Sequence, residues 1–475
     1  MFVQQFFVKG LAHSSYLLGG TDTCAIVDPQ RDVDVYLQAA EDMGMTITHI
    51  LETHLHADFI SGHLDLADAT GATIYAPRAG NCQFDHVAVA EGDSFSLGDL
   101  TLRVLDTPGH TPEHISYVVV DNARGPEPCA LFCGDTLFVG DVGRPDLFPG
   151  QAVELATKLY SSLHDKLLQL PDFCEVYPAH GAGSLCGRAM GAKRTSTIGY
   201  ERRYNAALQI ADREAFVASL TTNMPAAPDH FSRCSAINAA GPARAGELPA
   251  LEPLRPQQFR ERSQREGALV LDIRGYESFG GMHIPGAYHI DAGGNFSTFA
   301  GWILPPDSEI LLVANSETQA AEAAVMLRRV GLDRVTGVLH GGMFAWARAG
   351  LPLGHVGQVS AHELQQMTAA GEELVLVDVR APSEYEKYHI EGAVNIPAPD
   401  LRTRYTELDP GARTIVICST GHRSSMAASL LKQRGFTDVV NAAGGMTGYT
   451  AAGFAPECPV CVVPHGPRFL GRQVA

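Results

Sequence analysis

The second half of the chain repeats itself, and that repeat constrains the fold more than any other feature of the sequence. Asp272-Ile273-Arg274 returns as Asp378-Val379-Arg380, and His283-Ile284-Pro285-Gly286-Ala287 as His389-Ile390-Glu391-Gly392-Ala393, both at an offset of 106. Arg328-Arg329-Val330-Gly331 returns as Lys432-Gln433-Arg434-Gly435 at 104, and Gly341-Gly342-Met343 as Gly444-Gly445-Met446 at 103. Recurrence at near-constant spacing encodes one supersecondary unit twice. Apolar strand-like runs alternating with helix-forming stretches make each copy an α/β domain, expected at 254–355 and 356–456 with a tail at 457–475.

In the second copy the strand-like run Thr414-Ile415-Val416-Ile417 leads into Cys418-Ser419-Thr420-Gly421-His422-Arg423, and a helix is expected from Ser424 to Arg434. Loop N–H groups, the positive end of a helix and the Arg423 cation all favour a thiolate, so Cys418 is the candidate nucleophile and Arg423 its candidate partner. This loop, with Asp378-Val379-Arg380 and Gly444-Gly445-Met446, resembles the rhodanese family of sulfurtransferases. A cysteine phosphatase uses a similar anion loop but needs five residues between Cys and Arg, where this chain has four. In the first copy Ala314 and Gln319 fall where Cys418 and Arg423 fall in the second, and Glu317 opposes an anionic ligand. The first copy is expected to be a catalytically inactive rhodanese-like domain, a spacer or docking surface for the active one.

The first half carries a different chemistry. Thr53-His54-Leu55-His56-Ala57-Asp58-Phe59 follows the strand-like run Ile47 to Leu51, and alternation puts His54, His56 and Asp58 on one side of an extended segment, where all three can approach one ion. Asp106-Thr107-Pro108-Gly109-His110-Thr111, Cys133-Gly134-Asp135-Thr136 and Tyr177-Pro178-Ala179-His180-Gly181 follow later strand-like runs. In this order the pieces resemble the metallo-β-lactamase superfamily over about residues 1 to 190, which implies an αββα sandwich. Where the binuclear hydrolases of that superfamily carry the last histidine of the first motif, this chain has Phe59.

With Phe59, the run Gly134 to Asp146 is similar to the persulfide dioxygenase branch. That likeness implies His54, His110 and Asp135 as ligands of one Fe(II) per chain. His56, Asp58 and His180 become positions that support the ligands or are vestiges of a second metal site, and Arg144, Tyr177 and Cys186 become candidate substrate contacts. A two-histidine, one-carboxylate set also accepts Zn or Mn, so the metal stays open at this stage. Cys186 lies six residues past His180 in a glycine-rich loop, facing substrate or packing beneath the turn.

The first domain is expected over 1–225, closed by a helix-forming stretch from Lys193 to Leu220. A connector follows at 226–253, where Ala, Pro and Gly are frequent. The fold class is thus α/β: a metallo-β-lactamase-like sandwich followed by two rhodanese-like domains. The formal charge of −18 opposes binding to phosphate backbones, so no nucleic-acid partner is expected. The N-terminus has no basic region or small-residue cleavage site, and no apolar run has the length of a span; a soluble cytoplasmic protein is expected, with no membrane partner and with homo-oligomerisation left open.

Ten cysteines are too few for a disulfide scaffold. Cys24, Cys82, Cys129, Cys133 and Cys174 read as inert, and Cys458-Pro459-Val460-Cys461 is a lone pair with no second half. The whole order resembles fused persulfide dioxygenase–sulfurtransferases. It implies a small persulfide (of glutathione, coenzyme A or a polysulfide) and dioxygen as substrates, with sulfite as sulfur acceptor. A glyoxalase II-like zinc thioester hydrolase and a non-catalytic sulfur carrier are the competing readings.

Overall fold

The computed structural model describes residues 1–455 apart from Ala189, Asn223 and Pro225, so Cys458 and Cys461 lie outside the described residues. Two compact units emerge: Met1–Leu248 with Arg329–Gly331, and Pro249–Arg328 with the chain from Leu332 on. Among the described residues no helix is long and apolar enough to cross a membrane.

The first unit is built on two six-stranded sheets. One is β1 (Phe2–Val8), β2 (His13–Gly19), β3 (Thr23–Val27), β4 (Thr46–Leu51), β5 (Thr73–Pro77) and β6 (Val87–Val89), in that order. The other runs β12 (Ser196–Thr197), β11 (Glu175–Pro178), β10 (Pro128–Gly134), β9 (Ile115–Asp121), β8 (Leu100–Asp106), β7 (Ser94–Leu97). Alternation decides which side chains enter the core: Tyr16 and Leu18 from β2 meet Leu100, Leu102 and Val104 from β8 and Phe132 from β10 between the sheets. Leu17, Ile26 and Ile50 face the opposite way, onto helices Asp34–Asp42 and His63–Thr70. Val118, Leu131 and Val176 pack on helices Ala152–Ser161 and Arg213–Thr221. The result is the expected αββα sandwich, and each fully buried large side chain in it contributes roughly 1.5–3 kcal/mol.

Two expectations change. The stretch from Lys193 to Leu220 is not one helix: β12 is followed by Ile198–Tyr204 and then Arg213–Thr221. Thr197 and Asp212 each open a new helix by accepting a backbone N–H, from Tyr200 and Ala215. Between them Asn205 donates its side-chain amide to the Asp141 carbonyl at 2.9 Å instead of continuing a helix. The stretch 226–253 is more than a connector, because it holds the helix His230–Ala240, and the first unit extends to Leu248. Asn238 of that helix donates to the carbonyls of His56 and Phe59, both at 2.8 Å, and accepts the Ser61 N–H at 2.9 Å, clamping the histidine-rich loop.

The second unit shows the repeat directly. β13 (Glu252–Leu254), β14 (Ala268–Asp272), β15 (Tyr288–His289), β16 (Glu309–Val313) and β17 (Val335–Leu339) form a parallel sheet in the order β13-β17-β16-β14-β15. β18 (Gly357–Val359), β19 (Val375–Asp378), β20 (Val394–Asn395), β21 (Thr414–Ile417) and β22 (Val439–Ala442) take the same order, β18-β22-β21-β19-β20. Ala314 and Cys418 follow equivalent strands, β16 and β21.

Candidate metal centre and cysteine loop

The four histidine and aspartate segments of the first unit leave the C-terminal ends of β4, β8, β10 and β11. His54, His110 and Asp135 converge, their candidate ligand atoms all within 4.8 Å of one another and fully buried. His110 Nε2 lies 3.4 Å and His54 Nε2 3.9 Å from Asp135 Oδ2. The tautomers follow from the other ring nitrogens. His110 Nδ1 donates to the Arg144 carbonyl at 2.9 Å, and His54 Nδ1 donates at 2.9 Å to Thr53 Oγ1, whose own proton goes to Asp28. Both Nε2 atoms therefore present lone pairs, without a hydrogen-bond partner, to a carboxylate oxygen. Buried acceptors facing one another are relieved by a cation, and this set fits one.

Around it, burial opposes the charge on Asp135, but His180 and His110 outweigh burial and hold its carboxyl well below the usual range. His180 Nδ1 lies 2.7 Å from Asp135 Oδ1 and its Nε2 2.8 Å from Asp58 Oδ2; against the pull of burial, these two carboxylates keep it an imidazolium. Residue 134 must be glycine, since its φ is +47° and a Cβ would stand 2.4 Å from His114 Nε2. His114 itself was not singled out from the sequence, although it sits in the same loop as His110. Its Nε2 accepts the Asp135 N–H at 2.9 Å, and its Nδ1 lies within 3.1 Å of the Thr107 and Thr136 hydroxyls. Burial, then His110, pushes its pKa down to about 3, so it is neutral.

The expectation that His54, His56 and Asp58 face one ion is corrected. The chain turns out of its strand at Leu51, the two-residue alternation lapses, and the three side chains enter three different clusters. His56 turns to Asp28, with Nε2 3.1 Å from Oδ1 and 3.9 Å from Glu52 Oε2; burial raises Glu52 to about 8. Asp58 joins His180 and Cys186. Phe59 is buried and packs its ring on His56 and His13, with centroids 4.4 and 4.0 Å apart.

Cys186 is 1% exposed among Ala57, Phe138 and Phe231, and burial together with Asp58 and Asp135 keeps its thiol protonated. Arg144 donates to both oxygens of Asp146 at 2.7 Å and to the Leu185 carbonyl at 3.2 Å. Tyr177 lies away from the centre, stacked on Phe132 in the inter-sheet core with its hydroxyl on Glu175. Cys24, Cys82 and Cys174 are thiols that burial raises to about 11, 11 and 12, in keeping with an inert role.

In the second unit Cys418 Sγ is fully buried, accepting the Gly421 N–H at 3.1 Å and the Ser424 hydroxyl at 3.3 Å. Gly445, at φ +54°, allows the close approach that fixes this loop, for a Cβ there would stand 2.3 Å from the Cys418 carbonyl. Arg423 donates to Glu384 at 2.8 and 2.9 Å and to Ser419 Oγ at 3.0 Å, so its charge is met by a carboxylate that sequence reading did not anticipate. In the first copy Glu317 pairs with His340 at 2.9 Å.

An αββα sandwich in which His54, His110 and Asp135 converge is thus joined to a duplicated parallel α/β unit that carries the Cys418 loop. The chain belongs to the metallo-beta-lactamase superfamily and carries two rhodanese-like domains: the family model matches residues 8–180 and the rhodanese-like model matches 255–349 and 360–452.

A solved metallo-beta-lactamase of Staphylococcus aureus subsp. aureus COL is 35% identical, covering 72% of this chain and 99% of that one with a TM-score of 0.63. The hydroxyacylglutathione hydrolase of Rhodospirillum rubrum is 41% identical over 34% of this chain, which spans 58% of that relative's length. The mitochondrial persulfide dioxygenase ETHE1 of Mus musculus is 29% identical over 47% of this chain and 82% of its own.

Proposed function

We propose that the chain is a persulfide dioxygenase joined to a sulfurtransferase. The carrying observation is the division of the histidine-rich loop. Of its three ligand-type side chains only His54 joins His110 and Asp135, while Phe59 stands at the sequence position of the further donor that a two-metal hydrolase needs and packs on His56 and His13. Two imidazoles and one carboxylate suit a single Fe(II), which when bound supplies open coordination positions to a persulfide sulfur and to dioxygen.

The chain's own groups set the conditions. Arg144, through its carbonyl, and Thr53 fix the two imidazoles. His180 steadies the free oxygen of Asp135. Cys186, Ala57, Phe138 and Phe231 form an apolar wall that keeps a neutral thiol beside the centre. The balanced conversion takes one persulfide, one dioxygen and one water to one thiol, one sulfite and two protons. A second persulfide passes its outer sulfur to the Cys418 thiolate, its own S–S bond breaking as the thiol leaves; sulfite then takes that sulfur, the S–S bond to Cys418 breaks with its electron pair left on Cys418, and thiosulfate leaves. Joining both steps in one chain raises the effective concentration of the shared sulfite.

The identity to hydroxyacylglutathione hydrolases favours a second reading, zinc-assisted thioester hydrolysis. Protein loaded anaerobically with Fe(II) and offered persulfides of glutathione, coenzyme A and polysulfide distinguishes the two: dioxygen uptake with about one iron per chain is expected. Asp135→Ala should abolish both iron retention and uptake. Full thioester hydrolysis by a form holding two zinc ions per chain, with no uptake by the iron form, would overturn the proposal.

A further inference from the structure

The first repeat has lost its nucleophile yet remains pressed on the cysteine loop of the second. His289 at the end of β15 donates its backbone N–H to Ser429 Oγ at 3.0 Å and pairs through Nδ1 with Ser425 Oγ at 3.0 Å. Both serines belong to His422–Gln433, the helix that springs from the Cys418 loop. Asp291 Oδ2 stands 3.2 Å from His422 Nδ1. Tyr276 lies on Gly421, where a Cβ would come within 3.1 Å of its Cζ, and its ring meets His422 edge-on with centroids 5.1 Å apart. Gly421 also supplies the N–H that bonds Cys418 Sγ, so one glycine carries the sulfur's donor and the tyrosine that covers it.

Beside this cover a cavity of about 70 Å³ stays open, lined by Asp291, Phe296 and Phe299 of the first repeat and His422, Arg423 and Met426 of the second. That is room for roughly five waters, and so for a small oxyanion.

We propose that the cysteine-less repeat is the gate of the sulfur-transfer site: Tyr276 covers the Cys418 loop and Asp291 latches that cover through His422, so that small acceptors reach Cys418 more readily than bulky thiols. This deepens, and rests on, the sulfurtransferase reading of Cys418. Tyr276 thereby becomes a specificity-determining residue, and the first repeat a working part of the site.

The test uses the full chain and measures labelling of Cys418 by iodoacetamide and by a fluorescein maleimide, from the mass of the peptide that carries it. Wild-type protein should label with the small reagent and resist the bulky one. Tyr276→Ala and Asp291→Asn should each raise the bulky rate by about tenfold or more, the factor produced when a gate closed ten to one is released, with a much smaller change for iodoacetamide. Tyr276→Phe retains the covering ring and should discriminate like wild type. Where Tyr276→Ala fails to fold by circular dichroism, Tyr276→Leu and Asp291→Asn carry the same comparison. An unchanged ratio in folded variants, or a Phe variant that behaves like Ala, would refute the gate. Sulfur transfer from thiosulfate to cyanide is assayed separately; its survival in Cys418→Ser would overturn the sulfurtransferase reading while the labelling ratio still reports on the cover.

Discussion

Replacing His114 tests whether the metal centre depends on a residue that touches no metal. His114 accepts the N–H of Asp135, the only anionic ligand in the set, and is held on its other side by two threonine hydroxyls. His114→Leu removes that acceptor inside a fully buried site and leaves the Asp135 N–H unpaired, a cost of about 1–3 kcal/mol in stability. Loss of an outer support of this kind should weaken metal affinity by roughly 10–100-fold. His114→Gln places an amide oxygen near the old Nε2 position and should recover much of both losses.

The titration gives a second, independent readout. The folded-state pKa of His114, about 3, lies below the ordinary value of 6.5. Its contribution to stability is therefore fully present above pH 6.5 and is lost as pH falls towards 3, because only the unfolded chain takes up the proton. Between pH 7.5 and 5.5 metal-free wild-type protein should lose about 1.4 kcal/mol that His114→Gln does not lose. Urea midpoints at the two pH values and chelator competition for iron measure both effects. Equal iron affinity in the Leu, Gln and wild-type proteins would refute the positioning role, and parallel pH profiles would refute the buried neutral imidazole.

Three other predictions concern separate parts of the chain. Cys418→Ser should keep iron and dioxygen uptake but lose sulfur transfer, shifting the product from thiosulfate to sulfite by ion chromatography; an unchanged product ratio would exclude Cys418 as the carrier. Arg144→Ala removes the pair with Asp146 and the hold on Leu185, while its carbonyl still receives His110. It should raise KM or lower kcat for persulfide with iron retained, and unchanged kinetics would assign the side chain to structure alone. A fragment ending at Leu248 should bind iron, whereas one ending at Thr221 loses Asn238, with three hydrogen bonds to the histidine-rich loop, and should bind at least about tenfold more weakly by chelator competition; equal affinities would remove the clamp from the argument.

What could be read from the sequence was whatever depends on local spacing. Offsets near a hundred residues marked the repeat, and the two copies share one strand order. Motifs after strand-like runs picked out the segments that meet at the metal centre, because a β-strand delivers whatever follows it to a sheet edge. Direction was not legible. His54, His56 and Asp58 look alike in a string, but their destinations depend on Asp28, His180 and Cys186 of other segments and on how the loop folds back on its own Glu52. The helix His230–Ala240 was hidden because Ala, Pro and Gly around it resemble a linker, and its value lies in one asparagine. The inactive repeat looked like a spacer because the missing cysteine is visible from sequence, whereas the placement of Tyr276 over Gly421 is a fact of packing.

The loop from Glu52 to Ser61 sends alternate side chains, His54, His56 and Asp58, into separate clusters while Asn238 grips its backbone at three points. Its tolerance of length change and of side-chain change should therefore differ sharply. In a saturation library, substitutions here would be graded, each damaging one cluster. A single inserted or deleted codon would redirect His54, His56 and Asp58 together and detach the loop from its asparagine, so the reading frame of this short arc carries more information than any one letter in it.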